Sequence, residues 1–510
     1  MGSQRAAKGA RMAASGSPGS SAGLAKGAIG LREVLFQAVT SMAPAGAVAL
    51  SIALGATYAG GALPLAVLLA LVGCLLVASS IGQLAKHLPS AGSIYTYPAA
   101  GIHPSIGFLV GWGYSLIEML IGPTTMVLFG YLVASVTQFD FHWPFTTVWV
   151  IFMIVAALLI AGINFRGVTI SAGTGTVLGA LEISVFLVLA IWLIVKAGSH
   201  NTASVFTLHY ATIKGYSGFS GIVAGSIYTI LAFIGFEAAA PLAEEARNPR
   251  RTIQIAVVTS CLVIGLFYVL TTYAGDVFFG PDKFVSFGAL NGGSPWIGLA
   301  RDVWGVGWVI AFLAILNSTF ANGNAGTLAT TRTWFAMARV GVLPRPLAAT
   351  HPRYRSPYVG VIVQFVLTLA IGIPLGVHFG PVTTFALLAT ILTGIMVAIY
   401  IVFNLSCIMY YLRFQRSEFN WFLHLVVPVL GIIAFLPAWF TALGIGKAVL
   451  KFVSPLSYPI SETGLIIGVW YLIGLAVLIY LYARHPARLP EMRQVFADEP
   501  VTAAAGQEGA

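Results

Sequence analysis

Between residues 33 and 483 the chain repeats one pattern: an apolar run of about twenty residues, then a short polar connection. A hydrocarbon core about 30 Å thick takes about 20 helical residues to cross. Twelve runs approach or exceed that length: 33–57, 63–85, 104–135, 145–163, 170–196, 219–246, 251–278, 304–338, 357–378, 382–414, 422–450 and 462–483. The pattern predicts an all-α polytopic membrane protein with 12 transmembrane helices. A membrane-spanning transporter domain is expected over 31–484, between flexible tails at 1–30 and 485–510. The first tail lacks the apolar centre of a signal peptide.

Two runs are irregular at their centres. The first carries Thr40-Ser41-Met42-Ala43-Pro44-Ala45-Gly46, where proline and glycine weaken a helix. The sixth carries Phe233-Ile234-Gly235-Phe236-Glu237, a glycine between bulky residues and then a carboxylate. Free backbone N–H and C=O groups at membrane depth are tolerated only inside protein or beside a cavity. Paired breaks of this kind are how secondary transporters build substrate sites. An unbroken sixth helix with one packing glycine is the plainer reading. With both breaks taken together, 33–196 and 219–414 read as two five-helix halves in an inverted repeat, and 422–483 as two additional helices.

Composition agrees. The chain is 58% hydrophobic and 8% charged, where a soluble domain is about 25% charged. The net charge of +10 sits at the ends of apolar runs and forms no phosphate-binding stripe, so nucleic acid is not an expected partner. With the N-terminus inside, all but six of the 26 Lys and Arg fall on cytoplasmic segments. The exceptions are Lys196, Lys214, Lys283, Arg301, Lys447 and Lys451. That bias predicts two cytoplasmic termini in a multi-pass protein of the cell membrane. Cys74, Cys261 and Cys407 lie far apart in apolar runs and have no metal-ligand spacing. No cofactor or metal is expected, and no nucleophile–base arrangement suggests an enzyme.

Four blocks carry a family resemblance. They are 233–251, with Glu244, Glu245 and Asn248-Pro249-Arg250-Arg251; Leu88-Pro89-Ser90-Ala91-Gly92-Ser93 through Trp112; Asn317-Ser318 through Arg339 and Pro344; and Ser356-Pro357. In order and content the chain resembles the amino acid–polyamine–organocation (APC) superfamily of permeases. The first span departs from it, with Ser-Met-Ala-Pro-Ala-Gly where many members have Gly-x-Gly, and this points to a divergent substrate branch. The resemblance implies a LeuT-like 5+5 inverted repeat with broken helices 1 and 6. It also implies alternating-access transport of amino acids or related small organic amines, driven by protons or by exchange.

Physical chemistry assigns candidate roles on that frame. A half-helix N-terminus offers N–H groups to a carboxylate, and a half-helix C-terminus offers carbonyls to an ammonium. Ser41, Met42, Ala43, Pro44, Ala45 and Gly46 are candidate donors, and 230–234 are candidate acceptors. Phe233 or Phe236 would cover the substrate, although either ring has core packing as its ordinary role. Together with Ile234, Gly235, Glu237 and Glu118 they make the candidate substrate site.

Carboxylates inside a membrane call for a functional explanation. Glu182 aligns with a lysine of some family members, at the place a sodium ion takes in sodium-coupled relatives, and is either a proton carrier or a structural bridge to Ser318 or Thr319. Glu118 aligns with an acid of cationic-amino-acid members, with a structural hydrogen bond as the plainer role. Glu237 is assigned to holding the half-helix, with substrate contact second. Glu244, Glu245 and Arg251 are candidates for a cytoplasmic gate, biased by ion pairs of at most about 1 kcal/mol each. The function expected is secondary active transport, with protons, the substrate and membrane lipid as partners. Exchange, or a transport-inactive nutrient sensor of the same fold, is the alternative.

Overall fold

A computed structural model describes residues 30–89, 92–167, 172–244, 246–339 and 343–484. Every regular element among them is a helix. Eleven stretches are long and apolar enough to cross a membrane. The first of these, Leu31–Ala85, has 55 residues, roughly 80 Å of helix at 1.5 Å per residue. That exceeds twice the hydrocarbon thickness, and the stretch is accordingly divided.

Helix α1, Leu31–Ser41, stops at Met42–Ala43. Ala43 is left-handed (φ 46°, ψ 65°). The following Pro44 disfavours the αR region at Ala43, and the chain leaves the helix where the sequence places the proline. Helix α2 restarts at Pro44–Gly46, widens to a π-helical turn over Ala47–Ile52 and ends as Ala53–Ala59. Gly60, at φ 57°, turns the chain into α3, Leu63–Ala85.

The chain continues through α4 (Ser93–Gly101), α5 (Pro104–Phe141), α6 (Phe145–Phe165) and α7 (Ala172–Ala197). Helix α8 covers Phe219–Phe233 and gives way, past Ile234–Gly235, to a 3₁₀ segment at Phe236–Glu244. Then come α9 (Pro249–Phe279), α10 (Pro295–Trp304), α11 (Trp308–Arg339), α12 (Tyr358–Phe379), α13 (Pro381–Phe414), α14 (Val427–Ala442) and α15 (Thr463–Arg484). The short α10 lies where only a loop was expected. Its Gly305 (φ 54°) separates it from α11, which begins at Trp308 instead of 304.

Contacts define two ends of the bundle. Glu33 is in electrostatic reach of Arg247, His87 pairs with Glu418, Arg413 donates to the Ile102 carbonyl, and Ser105 meets Tyr482 at 2.9 Å. The described chain therefore starts and finishes at one end, here called the terminal face. Arg301–Asp140 and the Tyr216 hydroxyl on the Pro455 carbonyl mark the opposite face. Helices pack closely through small residues, as in other membrane bundles. A Cβ at Gly130 of α5 would lie 2.5 Å from the Trp149 carbonyl of α6. The outward sides are apolar: Leu465 and Leu472 of α15 are 67% and 66% exposed, which suits lipid and not water.

Candidate functional site

The two interruptions pack directly on one another. Gly235 has φ 127°, a conformation open to glycine and costly for other residues. A Cβ there would fall 2.8 Å from the Ser41 carbonyl carbon and 2.9 Å from the Met42 nitrogen. Glycine is thus required twice, by conformation and by contact. Both breaks leave carbonyls pointing into the protein, and one side chain serves them together. The Tyr268 hydroxyl of α9 is 3.0 Å from the Met42 carbonyl and 2.9 Å from the Ala232 carbonyl, so one proton is shared between them.

Glu237 lies just past the second break and is 3% exposed. Both of its carboxylate oxygens accept the Gly235 N–H at 3.1 Å, and one accepts the Tyr400 hydroxyl at 2.9 Å. The carboxylate thereby pins the glycine whose conformation makes the break, and α13 holds the carboxylate through Tyr400.

Glu182 of α7 reaches the first break. It accepts from Asn317 Nδ2 at 3.2 Å and Ser318 Oγ at 3.1 Å, both on α11. Its carboxylate is also in electrostatic reach of the Ala45 backbone N–H, in the first turn of α2. Thr319, weighed beside Ser318 as a partner, gives its hydroxyl to the Ile315 carbonyl of its own helix. Gly46 lets the chain approach α11, since its Cβ would lie 3.3 Å from Thr319 Oγ1.

Glu118 of α5 is 2% exposed. One oxygen accepts from Thr333 at 3.2 Å, and its backbone carbonyl accepts from Thr330, both on α11. The other oxygen is buried without a partner. Tyr114, one turn earlier, is in electrostatic reach of both Glu118 and Glu237, which connects this acid to the breaks.

Other candidates are occupied differently from the expectation. The Ser41 hydroxyl bonds the Gln37 carbonyl within α1. Pro44 has no N–H to offer, and the Ala45 N–H already faces the Glu182 carboxyl within electrostatic reach. Phe233 and Phe236 are fully buried and packed, edge-on to Tyr268 at 5.3 Å and against Tyr400 at 5.4 Å. Glu245 and the side chain of Glu244 lie outside the described residues. Arg251 is exposed in the first turn of α9. Among the described residues the ion pairs are His87–Glu418 and Arg301–Asp140, so none involves Arg251.

Sequence reasoning passed over three residues. Tyr268 and Tyr400 sit in apolar runs, where a hydroxyl draws less notice than a charge. Asp276 of α9 is fully buried, and neither carboxyl oxygen has a partner. It stands near the expected end of its span, where an acid is ordinarily taken to reach water. Counted with it, the buried acids among the described residues are Glu118, Glu182, Glu237 and Asp276, and no Lys or Arg is buried.

Comparison with known proteins gives this arrangement a family. Residues 33–488 match the model of the amino acid permease family. The chain is 28% identical over 390 residues to the low-affinity putrescine importer PlaP of Escherichia coli K12, covering 74% of this chain and 80% of the importer. It is 25% identical over 457 residues to the branched-chain amino acid permease BcaP of Bacillus subtilis 168, covering 85% and 88%. It is 26% identical over 380 residues to the mouse cationic amino acid transporter 4, covering 71% and 55%. The chain belongs to the amino acid permease family of the APC superfamily, and it is a membrane transporter and not an enzyme.

Proposed function

We propose that the protein is a secondary active transporter of small organic amines or amino acids, working by alternating access with proton coupling. The substrate would sit between the two breaks, against Met42–Gly46 and Phe233–Glu237, with Glu118 near by. In this reading the chain crosses the cell membrane twelve times, in two five-helix repeats followed by two helices. The terminal face, rich in Lys and Arg, is cytoplasmic.

The observation that carries the reading is the charge of the interior: four buried acids and no buried Lys or Arg among the described residues. An interior of that composition suits protons and cationic cargo. It also bears on the substrate class. The first turn of α2, the natural place for a substrate carboxylate, already has the Glu182 carboxyl within reach of its Ala45 N–H. An amine without a carboxylate avoids sharing that turn with another anion. A putrescine importer among the relatives favours such an amine, and the amino acid permeases keep the zwitterion as the second reading.

Coupling follows from hydrogen-bond roles. As a carboxylate, Glu182 only accepts; its two hydrogen-bond partners, Asn317 Nδ2 and Ser318 Oγ, are donors, and the Ala45 N–H lies within electrostatic reach. A bound proton turns one acceptor into a donor, which Ser318 Oγ can accept, and it removes the charge that strengthens these contacts, so the hold of Glu182 on α11 and α2 weakens. A conformational equilibrium moves when a ligand prefers one state, and the proton would then prefer the state with α2 released. The test is Glu182→Gln in proteoliposomes. The expected result is loss of proton-driven net uptake with substrate exchange retained. Net uptake that keeps its wild-type pH dependence would remove Glu182 as the carrier, and exchange without net uptake in the wild type would favour an exchanger.

A further inference from the structure

Asp276 has no role in the site described above, and its surroundings are unusual. It lies three residues before the end of α9 at Phe279, toward the opposite face, and is fully buried. Neither oxygen has a hydrogen-bond partner. One turn toward the breaks on the same helix, the Thr272 hydroxyl is also buried and unpartnered. Its neighbour Thr271 gives its hydroxyl to the Phe267 carbonyl at 2.8 Å, the ordinary use of a threonine in a membrane helix. Thr272 does not. Above them α10 lays the Trp296 ring over Gly275, 3.2 Å from where a Cβ would lie, with its indole nitrogen unpartnered as well.

No charge answers Asp276 among the groups packed around it. Lys196 on α7, Asp282 and Lys283 after α9, and Asp302 on α10 are exposed. Arg301 is engaged with Asp140, and the Tyr273 hydroxyl donates to Asn201. A desolvated carboxylate without a partner is costly, so this place calls for a positive ligand. A metal ion needs several oxygen ligands, and no set of three candidate metal ligands exists among the described residues. The proton is the cation that needs neither a ligand shell nor a cavity.

Four residues of α-helix rise about 6 Å, which puts Thr272 midway along α9 between Asp276 and Tyr268. Tyr268 is itself in electrostatic reach of Glu182. We propose that Asp276 is a second protonation site of the transport cycle, on the outer side of the breaks, passing its proton toward Glu182 by way of the Thr272 hydroxyl. This rests on the proton-carrying reading of Glu182 and on a cytoplasmic terminal face. The step balances: Asp276 takes a proton from external water and becomes the neutral acid. Neither the Asp276 carboxyl nor the Thr272 hydroxyl has a hydrogen-bond partner in this state, so the transfer belongs to a state of the cycle that admits water: water carries the proton from Asp276 past the Thr272 hydroxyl, and Glu182 ends protonated while Asp276 is again a carboxylate.

Two measurements test it. In pH-difference infrared spectra of the purified protein in lipid, one neutral-carboxyl band should be absent in Asp276→Asn, displaced in Asp276→Glu and retained in Glu182→Gln. Spectra that are identical in wild type and both Asp276 variants would overturn the proposal, and this arm needs no substrate. In proteoliposomes with internal pH fixed and labelled putrescine as probe, Asp276→Asn should flatten the response of net uptake to external pH. Thr272→Val should slow net uptake several-fold at the same pH. Wild-type profiles in both variants would overturn the route. In the uptake assay, an altered Asp276→Asn profile beside a Glu182→Gln protein that keeps wild-type net uptake would instead overturn the Glu182 reading and leave Asp276 as the protonation site.

Discussion

Single residues decide whether the breaks exist. At Gly235 a methyl group meets the Ser41–Met42 backbone within 3 Å, and the backbone angle is one that alanine resists. Gly235→Ala is expected to destabilise the protein by roughly 2–3 kcal/mol, seen as a lower Tm or lost expression. Tyr268→Phe keeps the packing against Phe233 but takes the shared proton from two buried carbonyls. The expected cost is about 1–3 kcal/mol, with transport reduced. A Tyr268→Phe protein with wild-type Tm and uptake would show that water or the substrate supplies that bond. Glu182 and its link to Ser318 were legible in the sequence because a charge inside an apolar run demands partners. Tyr268, Tyr400 and Asp276 were not. A hydroxyl is compatible with a membrane helix, and an acid near a helix end normally reaches water. That α10 covers Asp276 depends on a fold-back that apolar periodicity does not record.

Helices, as elements, were the most legible level, because hydrocarbon thickness dictates their length and the prolines and glycines place their interruptions. The exception is α10, ten residues with an arginine and an aspartate, too short and too polar to register as a span. Its seat depends on Arg301, which pairs with Asp140 at 2.6 Å and lies over the rings of Trp308 at 4.1 Å and Phe139 at 5.2 Å. The pair is partly exposed, so it contributes at most about 1 kcal/mol, and the ring contacts add about 0.5–1 kcal/mol. Arg301→Gln should therefore leave the bundle folded and raise amide hydrogen exchange over 295–304 above that in the core of α5. Unchanged exchange in that segment would mean that the apolar seat of Trp296, and not the arginine, holds α10 down.

At the scale of the whole molecule, the charge distribution and the pair of breaks point the same way. Positive charge gathers at the helix ends, and among the described residues four acids but no Lys or Arg are buried. On the proposed reading, a cationic or zwitterionic substrate entering such an interior would meet carbonyls and carboxylates where α1–α2 and α8 with its 3₁₀ continuation both lose their helical bonds. The cargo itself was not legible. Glu182 and Ala45 are 137 positions apart in the chain (182 − 45), and only the folded molecule shows the carboxylate within reach of that N–H.

The central claim is that cargo binds at the breaks. Its most direct test is protection of a cysteine at the second break. Cys74, Cys261 and Cys407 are all buried and can be replaced first, after which Ile234→Cys provides one thiol beside Gly235. A transported amine is expected to slow alkylation of that thiol in proportion to its occupancy, while analogues that are not transported leave the rate unchanged. A molecule that the protein demonstrably carries, yet that gives no protection at saturating concentration, would place the binding site elsewhere and contradict the account.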